Sequence, residues 1–379
     1  MTCRAMTCRA MTCRAMACRT VTPRVRIRTT VLVTLMLSGV FIHAQDVRVG
    51  VLGLFRPHQF TLSPPAGSAL IVHVGEESVV LEASSGVNIA HISVRGDKVV
   101  LAVGTRVLRG SEVTVTSREN GPVDFNLSVP GKITRHYRGA LELKPVSQVL
   151  TAVVTMDLET AVASVVASES TPDTPSEALK ALAVAARSYF VAGKGRHREF
   201  DFCDTTHCQF LREPPASTSA AAQAISATRG LVIAYQSQPI AAMYTRSCSG
   251  RTRTPAELGM AAAAYPYYSV ECNYCRQHPS RWESRLSAED AATLRSSDES
   301  SRLRLSRRLG WSAIPSNDFV MRKEGEQTVL QGVGRGHGVG LCQAGAKAMA
   351  EAGANFREIL AHYYPNTVII TLGSAAALR

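Results

Sequence analysis

The chain has 379 residues, enough for one large domain or two ordinary ones that each bury a core. Hydrophobic residues make up 45%, which excludes disorder as the overall state. The formal charge of +12 is concentrated at the start: residues 1–45 hold seven arginines and no acid, so 12 less 7 leaves +5 for the remainder. That remainder gives mild attraction to anionic wall polymers or lipid and no case for a nucleic-acid partner.

Met-Thr-Cys-Arg-Ala occurs three times in residues 1–15, followed by the variant Met16-Ala17-Cys18-Arg19. Such a tandem has no period that buries a face. It reads as an over-long start or translated repeat, with metal or lipid attachment through its cysteines as the alternative. Arg24, Arg26 and Arg28 then precede an apolar run from Val31 to Ile42, with Ile42-His43-Ala44 before Gln45. This is the layout of a secretory signal peptide, and the run is short for a span of about 20 residues. The expectation is export to periplasm or cell wall; an uncleaved anchor would be the one tie to a membrane. Six cysteines remain: Cys203, Cys208, Cys248, Cys272, Cys275 and Cys342. An even number in an oxidising compartment favours disulfides by default.

Residues 46–135 form a β-rich region. Val47–Val51, Ala69–Val74, Val99–Val103 and Val113–Val115 are alternating or β-branched runs bounded by Gly-Asp, Arg-Gly and Asn-Gly turn signals. His58, His73 and His91 in this region, and His136 just after it, are isolated and read as ordinary surface or core histidines. After Asp157 the period changes. Leu158, Val162, Val165 and Val166 form the stripe of a buried helix, and Glu169 continues it. A second helix follows Thr174-Pro175-Ser176-Glu177, read as a cap, a first-turn proline and a capping box. Its apolar face is Leu179, Leu182, Ala183, Ala186 and Tyr189 or Phe190, and its alanines imply close packing. Strands return at Leu231–Tyr235 and Ala241–Tyr244. Residues 284–308 read as a polar surface insertion with a weak helix near Ala288–Leu294. Gln343–Ala352 is helical up to Gly353, and Asn355 caps Phe356–Tyr364. The expected fold is α+β: the β-rich N-terminal region, then a mixed domain over residues 136–370.

Three constellations could carry chemistry. Glu169, beside valines, has a raised pKa if it stays on the apolar side, as a general acid at neutral pH requires; the alternative is a helix-end glutamate turned to water. His197, Cys203, His207 and Cys208 fall within twelve residues. They could surround a tetrahedral zinc, with His207 the least secure ligand, or form a disulfide or thiol pair with ordinary histidines, or a Cys/His nucleophilic pair. Cys272-x2-Cys275 reads as a tight disulfide ahead of two further metal ligands. Gly332-Val-Gly-Arg-Gly-His-Gly-Val-Gly340 has glycine at every second place, which permits close backbone approach and leaves His337 poised. It lacks the register of a dinucleotide fingerprint.

Taken in order, six stretches resemble the SpoIID/LytB family of cell-wall proteins. They are Val165–Glu169, Glu177–Tyr189, Cys203–Gln209, Met243–Thr252, Gly336–Ala346 and His362–Pro365. The resemblance implies action on peptidoglycan glycan strands. Sporulation members of the family are lytic transglycosylases, whereas the LytB type enhances a separate wall amidase. The family's catalytic glutamate falls on Glu169. Substrate contacts fall on Arg187, Tyr189, Ser247 and Gln343, and on Gly336, His337 and Gly338. No cofactor is demanded by the residues alone; zinc in some members favours His197, Cys203 and Cys208, with His207 as a fourth candidate. The chain departs from the family at three points: Ser170-Thr171 follow the glutamate where Met-Pro is usual, Leu182 replaces a glutamine, and Arg335 replaces an aromatic. Hydroxyls beside Glu169 would lower its pKa if they faced it.

Overall fold

The computed structural model describes residues 46–373 apart from 83, 85, 118–120, 262, 296 and 297. The repeat and the signal peptide or anchor expected over 1–45 lie outside the described residues.

Alternating apolar residues drive the first part into strands, because side chains of period two bury one face. In chain order these are β1 (Asp46–Val51), β2 (Gln59–Ser63), β3 (Ala69–Val74), β4 (Glu77–Glu82), β5 (Ala90–Arg95) and β6 (Lys98–Val103). They continue as β7 (Arg106–Gly110), β8 (Val113–Thr116), β9 (Val123–Val129), β10 (Ile133–Val146) and β11 (Val149–Asp157). In β3 the rule is plain: Leu70, Val72 and Val74 are buried while Ala69, Ile71 and His73 are not fully so. The order is β1-β11-β10-β9-β2-β5-β6-β7, with β8, β3 and β4 branching from β10.

The long β10 serves two neighbours along one edge. Residues 133–139 pair with β9 and 141–143 with β8, while 140–146 pair with β11 on the other edge. Gly139 marks the changeover with φ of 153°, and a Cβ there would stand 2.4 Å from the Thr155 carbonyl oxygen. The strand runs unbroken through residues 135 and 136, either side of the expected junction.

Then come α1 (Leu158–Glu169), α2 (Ser176–Ala192), β12 (Phe202–Cys203), α3 (Ala220–Ala227), β13 (Leu231–Tyr235), β14 (Gln238–Pro239) and β15 (Tyr244–Thr245). Next is α4 (Asn273–Gln277), whose Cys275 packs in the core beneath α7, and then a satellite of β16 (Arg281–Ser287), α5 (Ala288–Thr293), α6 (Glu299–Leu309), β17 (Phe319–Glu324) and β18 (Gln327–Val333). The chain closes through β19 (Leu341–Cys342), α7 (Gln343–Glu351), α8 (Phe356–Tyr363) and β20 (Val368–Thr371). Helices and strands mix as an α+β fold. Among the described residues no helix is long and apolar enough to cross a membrane.

Helix α2 is the hub. Every residue from Ala181 to Phe190 is buried. Leu179, Leu182, Ala183 and Ala186 pack in a core shared with α1 and the large sheet. Ala181, Val184 and Ala185 pack in a second core with Ile233, Ile359 and Tyr363. A helix squeezed on two sides needs small residues, which is the reason for its alanines. Its N-terminus differs from expectation. Pro175 is the N-cap and makes no side-chain cap, while Thr174 Oγ1 accepts the Thr171 N–H instead. Glu177 accepts the Phe356 N–H of α8 at 2.8 Å, so the anticipated capping box is replaced by a tie between two helices. The Asn355 capping box of α8 is present.

Arg187 sits in the middle of this buried helix with a fully covered side chain. Its Nε and Nη2 donate to Glu159 of α1 at 2.9 and 2.7 Å, and Nη1 donates to the Leu231 carbonyl at 3.1 Å. The substrate contact implied for Arg187 is therefore corrected: a guanidinium spent on a bidentate partner and a strand carbonyl has no face left for a ligand. Residues 284–308 are corrected likewise. Leu286, Leu294 and Leu305 join Ile314 and Leu330 in a small core, because the arginines and serines of α6 lie between apolar positions.

Arg187→Ala is expected to lower unfolding free energy by about 3–5 kcal/mol, since it strands the Glu159 charge. Denaturant titration of variant against parent measures it.

Candidate active site

The last residue of α1 is Glu169, three and four places beyond Val166 and Val165, both fully buried. The helix therefore aims the carboxyl along its apolar side, and the carboxyl reaches a cavity of 340 Å³. Gln343, the first residue of α7, donates its Nε2–H to Glu169 Oε2 at 3.1 Å across 174 positions of sequence. A second cavity of 150 Å³ shares Glu169, Arg246 and Gln343 with the first. The carboxyl thus lies where two hollows meet.

Burial raises the Glu169 pKa above the ordinary carboxylate range. The Gln343 amide, the Arg246 and Arg212 charges and the Phe210 N–H oppose this, and burial prevails. The flanking hydroxyls do not add to the opposition. Ser170 Oγ donates back to the Val166 carbonyl at 2.6 Å, and Thr171 pairs with Thr174. The expectation that they face the carboxylate is corrected: at a helix end a serine satisfies the orphan carbonyl one turn back.

Of the residues singled out in sequence, Tyr189, His207, Cys208, Gly336, His337 and Gln343 line the same cavity as Glu169. Gly336 and Gly340 explain the glycine spacing. A Cβ would stand 2.5 Å from Thr245 Oγ1 at the first and 1.9 Å from the Met243 carbonyl oxygen at the second. The loop lies flat on residues 243–247 because it has no side chains there. His337 is held rather than poised: Nδ1 accepts the Val339 N–H at 3.0 Å, and burial lowers its pKa. It is a neutral wall of the groove. Ser247 is buried outside the main cavity, at a minor hollow that Gly338 also borders. The Gly338 N–H is taken by Thr245 Oγ1 at 3.1 Å.

Sequence reasoning missed several wall residues. Arg246 and Tyr244 come from the β15 stretch, and Gln209 joins them by accepting from Tyr244 Oη at 2.8 Å. Glu299, Arg302 and Trp311 come from the satellite. Glu299 and Arg302 are buried as a bidentate pair at 2.6 and 2.8 Å. Burial works against the Glu299 charge, but Arg302 and Asn317 hold its pKa below the usual value. The only advance signal was the i, i+3 Glu/Arg spacing inside a segment that looked solvated.

His197, Cys203, His207 and Cys208 converge beside this cavity with their ligand atoms all within 4.8 Å of one another. His197 Nε2 is 3.2 Å from Cys208 Sγ, and His207 Nδ1 is 3.5 and 3.7 Å from Cys208 and Cys203. All six cysteines among the described residues are free thiols, so the disulfide default is corrected. The β-rich region helps fix this loop. β12 pairs in parallel with β1, and buried Asp204 accepts from the Leu52 N–H at 3.1 Å and from Arg135 at 2.7 Å.

Residues 146–235 match the family described as Stage II sporulation protein, SpoIID. The chain is 30% identical over 271 residues to an uncharacterised protein of Brachyspira hyodysenteriae, covering 62% of this chain and 72% of that one. It is 25% identical over 258 residues to stage II sporulation protein D of Bacillus amyloliquefaciens, covering 56% of this chain and 74% of that one. A shorter match, 39% over 61 residues, is to the amidase enhancer of Bacillus subtilis; it spans 16% of this chain and 9% of the enhancer. The chain belongs to the SpoIID family, a cell-wall-related family.

Replacing Gln343 by Leu removes a side-chain hydrogen bond to the carboxylate and is expected to raise the Glu169 titration midpoint further. Carbon-detected NMR of glutamate-labelled protein reads that shift; a midpoint that falls would contradict the burial argument.

Proposed function

We propose that this protein is an exported lytic transglycosylase acting on peptidoglycan glycan strands, with Glu169 as its single acid and base. What supports this most is the position of the Glu169 carboxyl, desolvated yet reachable, at the meeting of two cavities. A glycan chain laid through both would set one glycosidic bond over that carboxyl. The larger hollow is of the size that takes a small ligand. Trp311, 37% exposed on its wall, offers a face for a sugar ring. Arg246 and Arg335 suit the carboxylates of muramic acid and its stem peptides.

In the reaction the protonated Glu169 donates to the oxygen linking muramic acid C1 to the next sugar. The C1–O bond breaks, and that oxygen leaves with the electron pair and the proton. The Glu169 carboxylate then takes the proton of the muramic C6 hydroxyl as the hydroxyl oxygen bonds to C1, closing the anhydro ring. No water is consumed, so one carboxyl suffices where hydrolases need two. Gln343 orients the carboxyl, and Arg246 and Arg212 keep its charged form accessible for the second half.

Zinc fits the His197, Cys203, His207 and Cys208 donor set, which matches a closed structural site of two nitrogens and two sulfurs. When bound it would cross-link the groove wall carrying His207 and Cys208. His197→Ala is then expected to lose a zinc equivalent and to lower the melting temperature while the pH profile of turnover stays in place. A profile that moves with the variant would assign the metal to the chemistry.

A second reading is favoured by the match to the amidase enhancer: the chain binds glycan without cleaving it and stimulates a wall amidase. The two separate on Glu169→Gln, followed by mass spectrometry of purified glycan strands. A transglycosylase loses anhydro-muropeptide release by about 10²-fold or more, with strand binding intact. No release from the parent protein would leave the enhancer reading, and unchanged release from the variant would remove Glu169 from the acid–base role.

The same variant has a stability consequence. With its folded pKa raised, Glu169 holds more proton in the native state than when unfolded. Its contribution therefore declines as pH rises from the ordinary carboxylate range through the raised value. Glu169→Gln is expected to melt no lower than the parent at neutral pH and to lose that part of the pH dependence, as calorimetry between acid and neutral pH would read.

A further inference from the structure

Cys248, Cys272, Cys275 and Cys342 lie apart from the His/Cys cluster, and the proposed reaction uses none of them. All four are buried, and their sulfurs all lie within 4.8 Å of one another. They come from three separate stretches. Cys248 follows β15, Cys272 and Cys275 open α4, and Cys342 ends β19 immediately before α7. The Cys275 and Cys342 sulfurs stand 3.5 Å apart. Sulfurs held about 2.3 Å from a common zinc would stand about 3.8 Å apart along tetrahedral edges. Two disulfides would instead resolve the four into two close pairs.

The surroundings suit a metal thiolate cluster. The Cys248 N–H donates to Cys342 Sγ at 3.3 Å, and Tyr363 Oη lies 3.6 Å from Cys272 Sγ. The loops bearing the ligands are tied by backbone bonds, with the Cys272 N–H donating to the Gly250 carbonyl at 2.8 Å. A Cβ at position 345 would stand 2.6 Å from Cys272 Sγ, so Gly345 keeps the space beside the sulfur open. Cys272-x2-Cys275 places both sulfurs on one side of the first turn of α4, the spacing by which a zinc knuckle contributes two ligands.

We propose that these four cysteines bind one divalent zinc ion in a tetrathiolate site, separate from the His/Cys cluster, that fastens the groove's two loop walls together. The thiols give up their protons on binding, and no redox partner is involved. Cys342 immediately precedes Gln343, and Cys248 lies two residues after Arg246; both neighbours act on Glu169. The ion would therefore hold the residues that orient and charge-balance the carboxyl, without touching substrate. The inference stands on the sulfur geometry and holds whether or not the chain cleaves glycan.

The test uses the full chain, purified under reducing, anaerobic conditions and loaded with zinc. Alkylation followed by peptide mapping should find Cys248, Cys272, Cys275 and Cys342 protected together, and exposed together after chelation. Equal labelling with and without zinc would overturn the proposal. So would an intact mass lighter by four hydrogens with no alkylatable thiol at these positions, the signature of two disulfides. Cobalt loading of a His197→Ala/Cys203→Ala background should give intense sulfur-to-metal charge transfer, lost on adding Cys272→Ser. Its absence before that change would also count against the site.

Discussion

The fold depends on a single buried charge. Helix α2 runs between two cores with no exposed face along its central turns, and the guanidinium of Arg187 lies within it. Glu159 on α1 and the Leu231 carbonyl on β13 take its protons, and Glu159 Oε1 also accepts the Gly230 N–H at 3.3 Å. A buried ion costs several kcal/mol unless its geometry is met, so α1, α2 and the start of β13 have essentially one mutual arrangement. Ten residues beyond Glu159 on the same helix is Glu169. The charge that cannot reach a substrate sets the direction in which the groove carboxyl points.

Around that carboxyl the protein balances two opposing demands. An acid at neutral pH must be desolvated, whereas a carboxylate that later takes a proton must be tolerated as an anion. The valines of α1 and the depth of the groove answer the first. Gln343, Arg246, Arg212 and the Phe210 N–H answer the second. These partners come from widely separated segments, and none is fixed by α1 itself. Their positions rest on loops, and loops hold catalytic geometry only where something ties them down.

The ties differ from wall to wall. Near His207 the loop is braced by β12 on β1 and by Asp204 against Arg135 and Leu52, so the β-rich region supports the site. Near Arg246 and Gln343 the bracing is the glycine loop pressed on residues 243–247, together with the four clustered sulfurs. The satellite adds Glu299 and Arg302, locked to each other in a bidentate pair, so that wall is rigid although its sequence is polar.

Much of this was legible in the sequence. Period-two and period-3.6 patterns gave β3 and β13 to the residue and placed α1 with Glu169 on its apolar side, because burial of one face is a local consequence of spacing. The glycines of 332–340 announced close backbone contact, since no other residue permits it. The His/Cys cluster was visible as donor types within twelve residues. What pattern could not supply was partnership across long separations. Arg187 follows the same run of alanines whether it meets a ligand or Glu159, and only the packing of α1 on α2 decides which. The role of 284–308 as a groove wall and the meeting of Cys248, Cys272, Cys275 and Cys342 were likewise decided by tertiary structure. Each depends on which distant atom occupies a volume of a few ångströms, and one-dimensional periodicity carries no information about that.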